Sequence, residues 1–220
     1  MKKLCLLAIS YNEEEHVKFW IDNHRNFVDG IVLVDTGSKD RTIEIAKENG
    51  ATVFTYTWQH DFARAKNFAL RCCSTCCHPD WIFFLSPDYW VSSEDMKKIR
   101  EAIRTDDFDA YKTRTMYHNK DWFDFTDIRM VDEPPIGGIV LFKDDPYIFY
   151  TGKINETVDS SLYVSGKKIG YLEVIRHHDS SGKNHEDNEN RQKYMALLKQ
   201  IWEKEDALGI ELNSMREALR

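Results

Sequence analysis

Residues 30–35 have the sequence GIVLVD, a near-continuous apolar run that ends on the carboxylate of Asp35. A strand covered on both faces, as in a parallel sheet, has this pattern, whereas a half-exposed strand alternates apolar with polar residues. We therefore predict a buried strand over residues 30–35. Ligands of open α/β sheets bind beyond the carboxyl ends of the strands, so the following TGSKD segment, residues 36–40, belongs to the candidate site.

Strand and helix patterns alternate on both sides of this run. Before it, residues 3–9 predict a strand and residues 13–27 an amphipathic helix. After it, Ser38 is predicted to cap a helix that stops at Gly50. The pattern then predicts a strand, a helix and a strand, at residues 51–56, 61–71 and 81–85. This order with short links predicts a Rossmann-like, mostly parallel sheet with right-handed crossovers and helices on both faces.

The pattern changes after residue 89. A helix is predicted at residues 92–104, antiparallel strands between residues 110 and 150, and a strand at residues 169–176. A long helix over residues 184–205 carries one apolar face, which either packs on its own sheet or forms a homodimer seam, and we favour packing. We predict one α/β domain over residues 1–182, with a small antiparallel extension, and a C-terminal helical appendage over residues 183–220.

Composition limits the class of protein. A chain of 220 residues with 42% hydrophobic residues can bury a full core. Its net charge of −7 disfavours non-specific binding to nucleic acid, which normally requires a basic face. The apolar run at residues 4–9 is shorter than the roughly 7–15 residues of a signal-peptide core, and no run approaches the ~18 residues of a membrane span. We expect a cytoplasmic protein without a transmembrane segment.

Four of the five cysteines lie in CCSTCC, residues 72–77. Such crowding is more typical of reduced thiols than of a disulfide framework. Cys73 and Cys76 form a CxxC that His78 follows, which is compatible with zinc. A structural zinc site, however, usually takes two separated ligand pairs, and Cys5 is the only cysteine outside the cluster. We favour shielded or redox-active thiols over zinc.

Polar residues follow three of the predicted parallel strands. Tyr11 follows the first, Asp35 ends the second, and Asp88 follows the fourth. Together these residue types suit a nucleoside diphosphate. The aromatic ring can stack on the base, one carboxylate can accept hydrogen bonds from the base or ribose, and the other can hold a divalent cation. Each also has an ordinary structural interpretation, because acids at strand ends often cap the next helix. Neither GxGxxG nor GxxxxGK[ST] follows the first strand, which disfavours dinucleotides and P-loop chemistry.

Six segments, in this order and spacing, resemble the family 2 glycosyltransferases of the GT-A fold. They are ISYNEE (9–14), VLVDTGSKDRT (32–42), WQHDFARAKN (58–67), WIFFLSPD (81–88), GKINE (152–156) and GYLEVIRHH (170–178). The resemblance covers most of residues 4–180. The ordered set is far more specific than any one segment.

The resemblance implies a role for each matching residue. The nucleoside of a UDP-sugar or related donor would be bound by Tyr11, Glu13, Asp35 and Asp61, with Lys66 or Asn67 near it. Asp88 would ligate Mn²⁺ or Mg²⁺ through the donor diphosphate, with His178 or its neighbour His177 as the second protein ligand. Glu156 would be the general base that deprotonates the acceptor hydroxyl. Direct displacement would invert the anomeric configuration.

Two residues depart from the family pattern. Ser86 stands where most relatives carry the first aspartate of DxD, so the motif is SPD; a serine hydroxyl binds a ribose but is a poor metal ligand. Asn155 replaces the usual histidine beside Glu156. Glu156 itself has a structural alternative, hydrogen bonding to nearby backbone N–H groups.

We therefore expect a glycosyltransferase whose acceptor is a glycan, a peptide, a lipid-linked sugar or a modified base. The main alternative, favoured by Ser86, is a catalytically impaired nucleotide-sugar or carbohydrate-binding module of the same fold. A sugar nucleotidyltransferase ranks last, because it needs a glycine-rich basic loop after the first strand and residues 10–15 are acidic and lack glycine.

Overall fold

A computed structural model of the chain describes residues 1–117, 136–153 and 155–179. Within these residues the strands are β1 (Leu4–Ser10), β2 (Gly30–Asp35), β3 (Thr52–Thr55), β4 (Trp81–Phe84), β5 (Tyr89–Val91), β6 (Ala110–Tyr117), β7 (Ile136–Lys143) and β8 (Ile169–His178). The helices are α1 (Val17–His24), α2 (Thr42–Glu48), α3 (Phe62–Cys77), α4 (Ser93–Ala102) and α5 (Asp159–Val164).

The strands form one eight-stranded sheet in the order β3-β2-β1-β4-β7-β6-β8-β5. The first four strands are mutually parallel. β7 runs antiparallel to both β4 and β6, and β8 runs parallel to β6 but antiparallel to β5. The predicted α/β fold, with a parallel sheet and an antiparallel extension, is confirmed.

Both faces of the sheet are covered by helices. In β1, Leu4, Leu6 and Ala8 belong to the core cluster that α1 and α4 complete, whereas Cys5 and Leu7 belong to the cluster that α3 and α5 complete. Successive side chains of a strand point to opposite faces, so an uninterrupted apolar strand supplies both cores at once. This is why the predicted parallel strands lack an alternating pattern.

Several predicted boundaries shift. The helix predicted at residues 13–27 begins only at Val17, because Glu13 takes part in a turn in which its carbonyl accepts the N–H groups of His16 and Val17. The helix predicted at residues 61–71 continues to Cys77 and ends at His78, whose φ of 46° is left-handed. The short elements β5 and α5 were not predicted, because three and six residues carry too little periodicity to detect.

The predicted capping role of Ser38 is wrong. Its hydroxyl donates to the carboxylate of Asp35 and accepts the N–H of Asn12, and α2 begins four residues later. Asp40 instead accepts the N–H of Thr42, the first residue of the helix, at 3.0 Å. The hydroxyl oxygen of Ser38 therefore accepts an N–H of the loop after β1 instead of one from the first turn of α2.

The cysteines within the described ranges are free thiols. Hydrogen bonding to Cys73, together with burial, raises the pKa of Cys5, and burial raises the pKa of Cys76 to about 12. A thiol with a raised pKa is protonated at neutral pH and is a weak nucleophile. Cys5 is buried and therefore behaves as a packing group, in line with the expectation of shielded thiols, whereas Cys76 is exposed.

Some predictions fall outside the described residues. The helix over residues 184–205, its possible homodimer seam and the domain boundary between residues 182 and 183 all lie there. All described residues belong to one compact unit, residues 1–180. In this part of the chain, no helix has both the length and the apolar character needed to cross a bilayer.

The buried imidazole of His24 makes the stability of this unit depend on pH. His24 is 0% exposed, and its Nδ1–H donates to the carbonyl of Trp20 at 2.7 Å. Burial lowers its pKa from 6.5 to about 4. Between these two values the unfolded chain binds the proton more tightly than the folded chain does, so stability is lost as the pH falls from 6.5 toward 4.

We expect the free energy of unfolding to fall by about 2 kcal/mol between pH 7 and pH 5 on account of this one group. Urea unfolding at both pH values measures the change. The His24→Gln variant should lack this part of the pH dependence, whereas the control His60→Asn, at an exposed position, should retain it. Equal pH dependence in the two variants would show that His24 is not the responsible group.

Candidate active site

The carboxylate of Asp35 organises the loop at the carboxyl edge of the sheet. Asp35 is 1% exposed and lies beside Ser10 in the β1–β2 register. Its Oδ1 accepts the N–H groups of Gly37 and Ser38 at 2.9 Å each, and its Oδ2 accepts the hydroxyl of Ser38. The loop turns sharply at Gly37, whose φ of +116° favours glycine. Asp35 thus shapes the loop in which it was predicted to bind a nucleoside.

The loop after β1 is bonded to the loop after β2. The N–H of Asn12 donates to the hydroxyl of Ser38 at 2.8 Å, and the N–H of Glu13 donates to Thr42 Oγ1 at 2.7 Å. Asn12 Oδ1 in turn accepts the N–H of Lys39 at 2.9 Å. The two loops therefore form one bonded rim above β1 and β2.

Tyr11 and Glu13 lie on this rim in different environments. The ring of Tyr11 is 40% exposed, which suits a surface on which a base can stack. Glu13 is 8% exposed, and its Oε2 lies 2.8 Å from Nδ1 of His16. His16 was not singled out from the sequence, although its position three residues after Glu13 in a helical turn was an available signal.

Asp88 and His178 meet at the carboxyl end of β4. Asp88 is 7% exposed, and its Oδ2 lies 3.1 Å from Nε2 of His178. Pairing of β5 with β8 places Tyr89 opposite His178 and Trp90 opposite His177. The His178 ring stacks on Tyr89 with centroids 4.4 Å apart, and the His177 ring stacks on Trp90 at 3.9 Å. Of the two histidines, His178 is therefore the one placed beside Asp88.

This pair fits a divalent cation. Two ligand atoms at adjacent corners of an octahedron, each ~2.1 Å from the ion, lie about 3 Å apart. Oδ2 of Asp88 and Nε2 of His178 have this separation. A carboxylate with an imidazole suits Mn²⁺ better than Mg²⁺, which prefers oxygen alone. Among the described residues, no group of three or more His, Cys, Asp or Glu side chains is placed to hold a metal. Within the described ranges, the remaining ligands of a cation here would be diphosphate oxygens or water.

Ser86 lies in the turn that delivers Asp88. Its carbonyl accepts the N–H of Tyr89 at 2.9 Å, which closes the turn between β4 and β5. Ser86 is partly buried, whereas Pro87 and Asp88 are buried. The predicted contact of its hydroxyl with a ribose stays a prediction.

A second charged pair joins Lys66 to Glu156. The Nζ of Lys66 lies 2.7 Å from Oε1 of Glu156, and the two side chains are 17% and 14% exposed. The same ammonium lies over the rings of Phe84 and Tyr150, 4.9 and 4.8 Å from their centroids. The sequence analysis placed Lys66 near the nucleoside and did not identify this pair, because no local pattern links residues so far apart in the chain.

Two further residues of the DFARAKN segment have structural contacts. Asn67 bonds the backbone of Tyr150 twice, donating from Nδ2 to the carbonyl and accepting the N–H at Oδ1, each at 2.8 Å. Asp61 caps α3, because its Oδ1 accepts the N–H of Arg64 at 2.9 Å. The N–H of Phe62 donates to the carbonyl of Lys153 at 3.1 Å. This segment therefore anchors Tyr150 and Lys153, and the predicted nucleoside contacts of Asp61 and Asn67 stay predictions.

The sequence of the chain matches a known family and its members. A family model described as Glycosyl transferase family 2 matches residues 5–174. An uncharacterised glycosyltransferase of Rickettsia typhi, RT0209, is 31% identical over 180 residues, which are 80% of this chain and 57% of that protein. A second uncharacterised glycosyltransferase, from Rickettsia bellii, is 30% identical over 79% of this chain and 56% of its own length. The chain thus spans little more than half the length of these curated relatives.

Solved structures share the fold at low sequence identity. Glucosyl-3-phosphoglycerate synthase of Mycobacterium tuberculosis, in complex with Mn²⁺, UDP and phosphoglyceric acid, superposes with a TM-score of 0.58 and 14% identity, over 86% of this chain and 74% of that one. Residues 1–349 of S. aureus TarS, in complex with UDP-GlcNAc, superpose with a TM-score of 0.58 and 15% identity, over 83% and 60% of the two chains. The fold is of the GT-A type found in these neighbours.

We expect Asn67→Ala to destabilise the compact unit, since it removes both hydrogen bonds to the backbone of Tyr150. A buried or half-buried polar group that loses its partner costs about 1–3 kcal/mol. Urea unfolding of Asn67→Ala measures the loss, and Gln59→Ala, at an exposed position, serves as the control. If the two variants unfold at the same urea concentration, the anchoring role assigned to Asn67 is wrong.

Proposed function

This chain belongs to glycosyl transferase family 2, and on that basis we propose that it transfers a sugar from a nucleoside-diphosphate sugar to an acceptor hydroxyl. The observation that carries the proposal is the Asp88–His178 pair, whose atoms lie 3.1 Å apart beyond the end of a parallel strand. Such a site beside an aromatic and acidic rim suits a cation-bound diphosphate with its nucleoside.

UDP is the nucleotide that we propose for the donor. Structural neighbours were solved with UDP and Mn²⁺, with UDP and Mg²⁺, and with UDP-GlcNAc. In this chain Tyr11 offers an exposed ring to the uracil, and the rim of β1 and β2 offers Glu13 and Asp35. Because the carboxylate of Asp35 already accepts hydrogen bonds from Gly37 and Ser38, it presents a preorganised rather than a mobile acceptor.

Asp88 and His178 would hold Mn²⁺ or Mg²⁺, with Mn²⁺ preferred because one ligand is an imidazole. When bound, the cation supplies positive charge that stabilises the departing diphosphate. The contribution of the protein is orientation: the stacking of His178 on Tyr89 fixes the direction of its ring. Ser86 stands where most relatives carry an aspartate, and its hydroxyl is a poor metal ligand.

Glu156 is the residue that we propose as general base. The proton of the acceptor hydroxyl passes to its carboxylate while the acceptor oxygen forms a bond to the anomeric carbon of the donor. The bond between that carbon and the diphosphate oxygen breaks, and its electron pair leaves on the diphosphate. Because the acceptor attacks from the side opposite the leaving group, a single displacement inverts the anomeric configuration.

The acceptor is proposed by class only: a glycan, a peptide, a lipid-linked sugar or a modified base. The net charge of −7 favours the first three over a nucleic acid. The competing function is a nucleotide-sugar or carbohydrate-binding module without turnover, and Ser86 is the observation that favours it. Binding of the donor without release of UDP would identify that case.

We expect UDP to bind in a Mn²⁺-dependent manner and Asp88→Ala to weaken that binding at least tenfold, because it removes the carboxylate of the proposed cation site. Calorimetric titration with UDP, with and without Mn²⁺, measures the effect. Asp106→Ala is the matched control, since it removes an exposed carboxylate that pairs with Lys2. If wild type binds no UDP in either condition, UDP is not the nucleotide of the donor. Membership of the family would then indicate common descent without indicating this activity.

We expect Glu156→Gln to lower the release of UDP from a UDP-sugar by about 10²–10⁴-fold, as removal of a general base does, while UDP affinity stays within about twofold. Water serves as the acceptor in this hydrolysis assay. Glu101→Gln, which changes an exposed carboxylate paired with Arg104, is the control. Unchanged UDP release in Glu156→Gln would exclude Glu156 as the base.

A further inference from the structure

We propose that Lys66 is a positioning residue that orients the carboxylate of Glu156 for proton transfer. The inference rests on the proposed function, in which Glu156 is the general base. Lys66 touches the base and, in this assignment, does not touch the donor. The pairing links a residue of α3 to a loop that follows β7.

The ion pair holds Oε1 of the carboxylate, and the proposed role assigns Oε2 to the acceptor. The Nζ of Lys66 lies 2.7 Å from Oε1, which is a close ion-pair contact. A base must present an oxygen within about 2.6–3.2 Å of the proton that it removes, so the direction of the second oxygen decides whether transfer occurs.

The surroundings of Lys66 make the ion pair well suited to fixing that direction. Its ammonium lies over Phe84 and Tyr150, and these rings cover it from water. Exposed ion pairs contribute little because solvent screens them, whereas partly dehydrated pairs are less screened. Tyr150 is 5% exposed and is itself tied to Asn67, so the wall beside the ammonium is rigid.

The backbone that carries Glu156 is fixed independently of Lys66. Thr151 and Thr157 exchange backbone hydrogen bonds of 2.9 and 3.0 Å, and they close the loop between them. The N–H of Phe62 holds the carbonyl of Lys153 at 3.1 Å. Removal of the Lys66 ammonium should therefore free the side chain of Glu156 without releasing its loop. The effect on catalysis then comes from side-chain orientation.

The alternative is that Lys66 contacts the donor directly and pairs with Glu156 only in its absence. The two roles differ in the kinetic constant that they affect. A donor contact contributes to affinity, so its loss raises KM and weakens UDP binding. A positioning residue acts through the base, so its loss lowers kcat and leaves donor affinity unchanged.

UDP release from a UDP-sugar with Mn²⁺ and water as acceptor tests the assignment. We expect Lys66→Met to lower kcat about ten- to a hundredfold with donor KM within about twofold, and Lys66→Arg to restore most of the loss. In a Glu156→Gln background, Lys66→Met should cause no further decrease, because the two residues act as one unit. Lys112→Met, which breaks an exposed pair with Asp159, is the matched control.

Three kinetic results would overturn the inference. The first is a Lys66→Met variant with the kcat of wild type. The second is a raised donor KM with unchanged kcat. The third is a decrease in kcat that adds in full to that of Glu156→Gln. Absence of UDP binding and release in wild type is a different result: it refutes the proposed function and the role of Lys66 with it.

A second measurement needs no turnover. Labelling of lysines by an amine-reactive ester, read by mass spectrometry, should modify Lys66 more slowly than Lys112 in wild type. Glu156→Gln should accelerate the labelling of Lys66 several-fold and leave that of Lys112 unchanged. If labelling of Lys66 does not respond to Glu156→Gln, the two side chains are not held together in solution and the inference fails.

Discussion

β1 hydrogen-bonds to β2 on one side and to β4 on the other, and all three strands run in the same direction. Their carboxyl ends therefore meet at one edge of the sheet, where the chain leaves each strand through a polar loop. Asp35 and Asp88 are brought to this edge by backbone pairing that depends on the burial of β1, whose alternate residues supply both core clusters. A polar residue at any of positions 4–8 of β1 would disturb the core cluster that its side chain enters, and with it the pairing that forms this edge.

The other half of the candidate site comes from elements that return to this edge late in the chain. β8 brings His178 to Asp88 by pairing with β5, and the loop after Tyr150 brings Glu156 to Lys66. In the first contact, Asp88 follows the parallel strand β4 and His178 lies in β8. In the second, Lys66 lies in α3 and Glu156 in the loop after β7. The proposed site is thus assembled only when the antiparallel extension has packed on the parallel strands, and stability and activity are coupled there.

Several residues that resemble ligand contacts also hold the backbone. Asp35 accepts two loop N–H groups, Asp61 caps α3, and Asn67 bonds both backbone groups of Tyr150. Such bonds preorganise polar groups so that little reorganisation is needed when a ligand arrives. A loss of activity in variants at these positions must therefore be compared with their stability before a ligand contact is inferred.

By itself, the sequence determined the parallel core, and it predicted a candidate site at the carboxyl edge with residue types suited to a nucleoside diphosphate. These follow from local properties, since apolar runs such as residues 30–35 specify burial and the polar residues after them are adjacent in the chain. Only the tertiary structure decided that His178 rather than His177 lies beside Asp88 and that Lys66 pairs with Glu156. Those outcomes depend on strand register and on which faces meet across long stretches of chain, and no local periodicity encodes either.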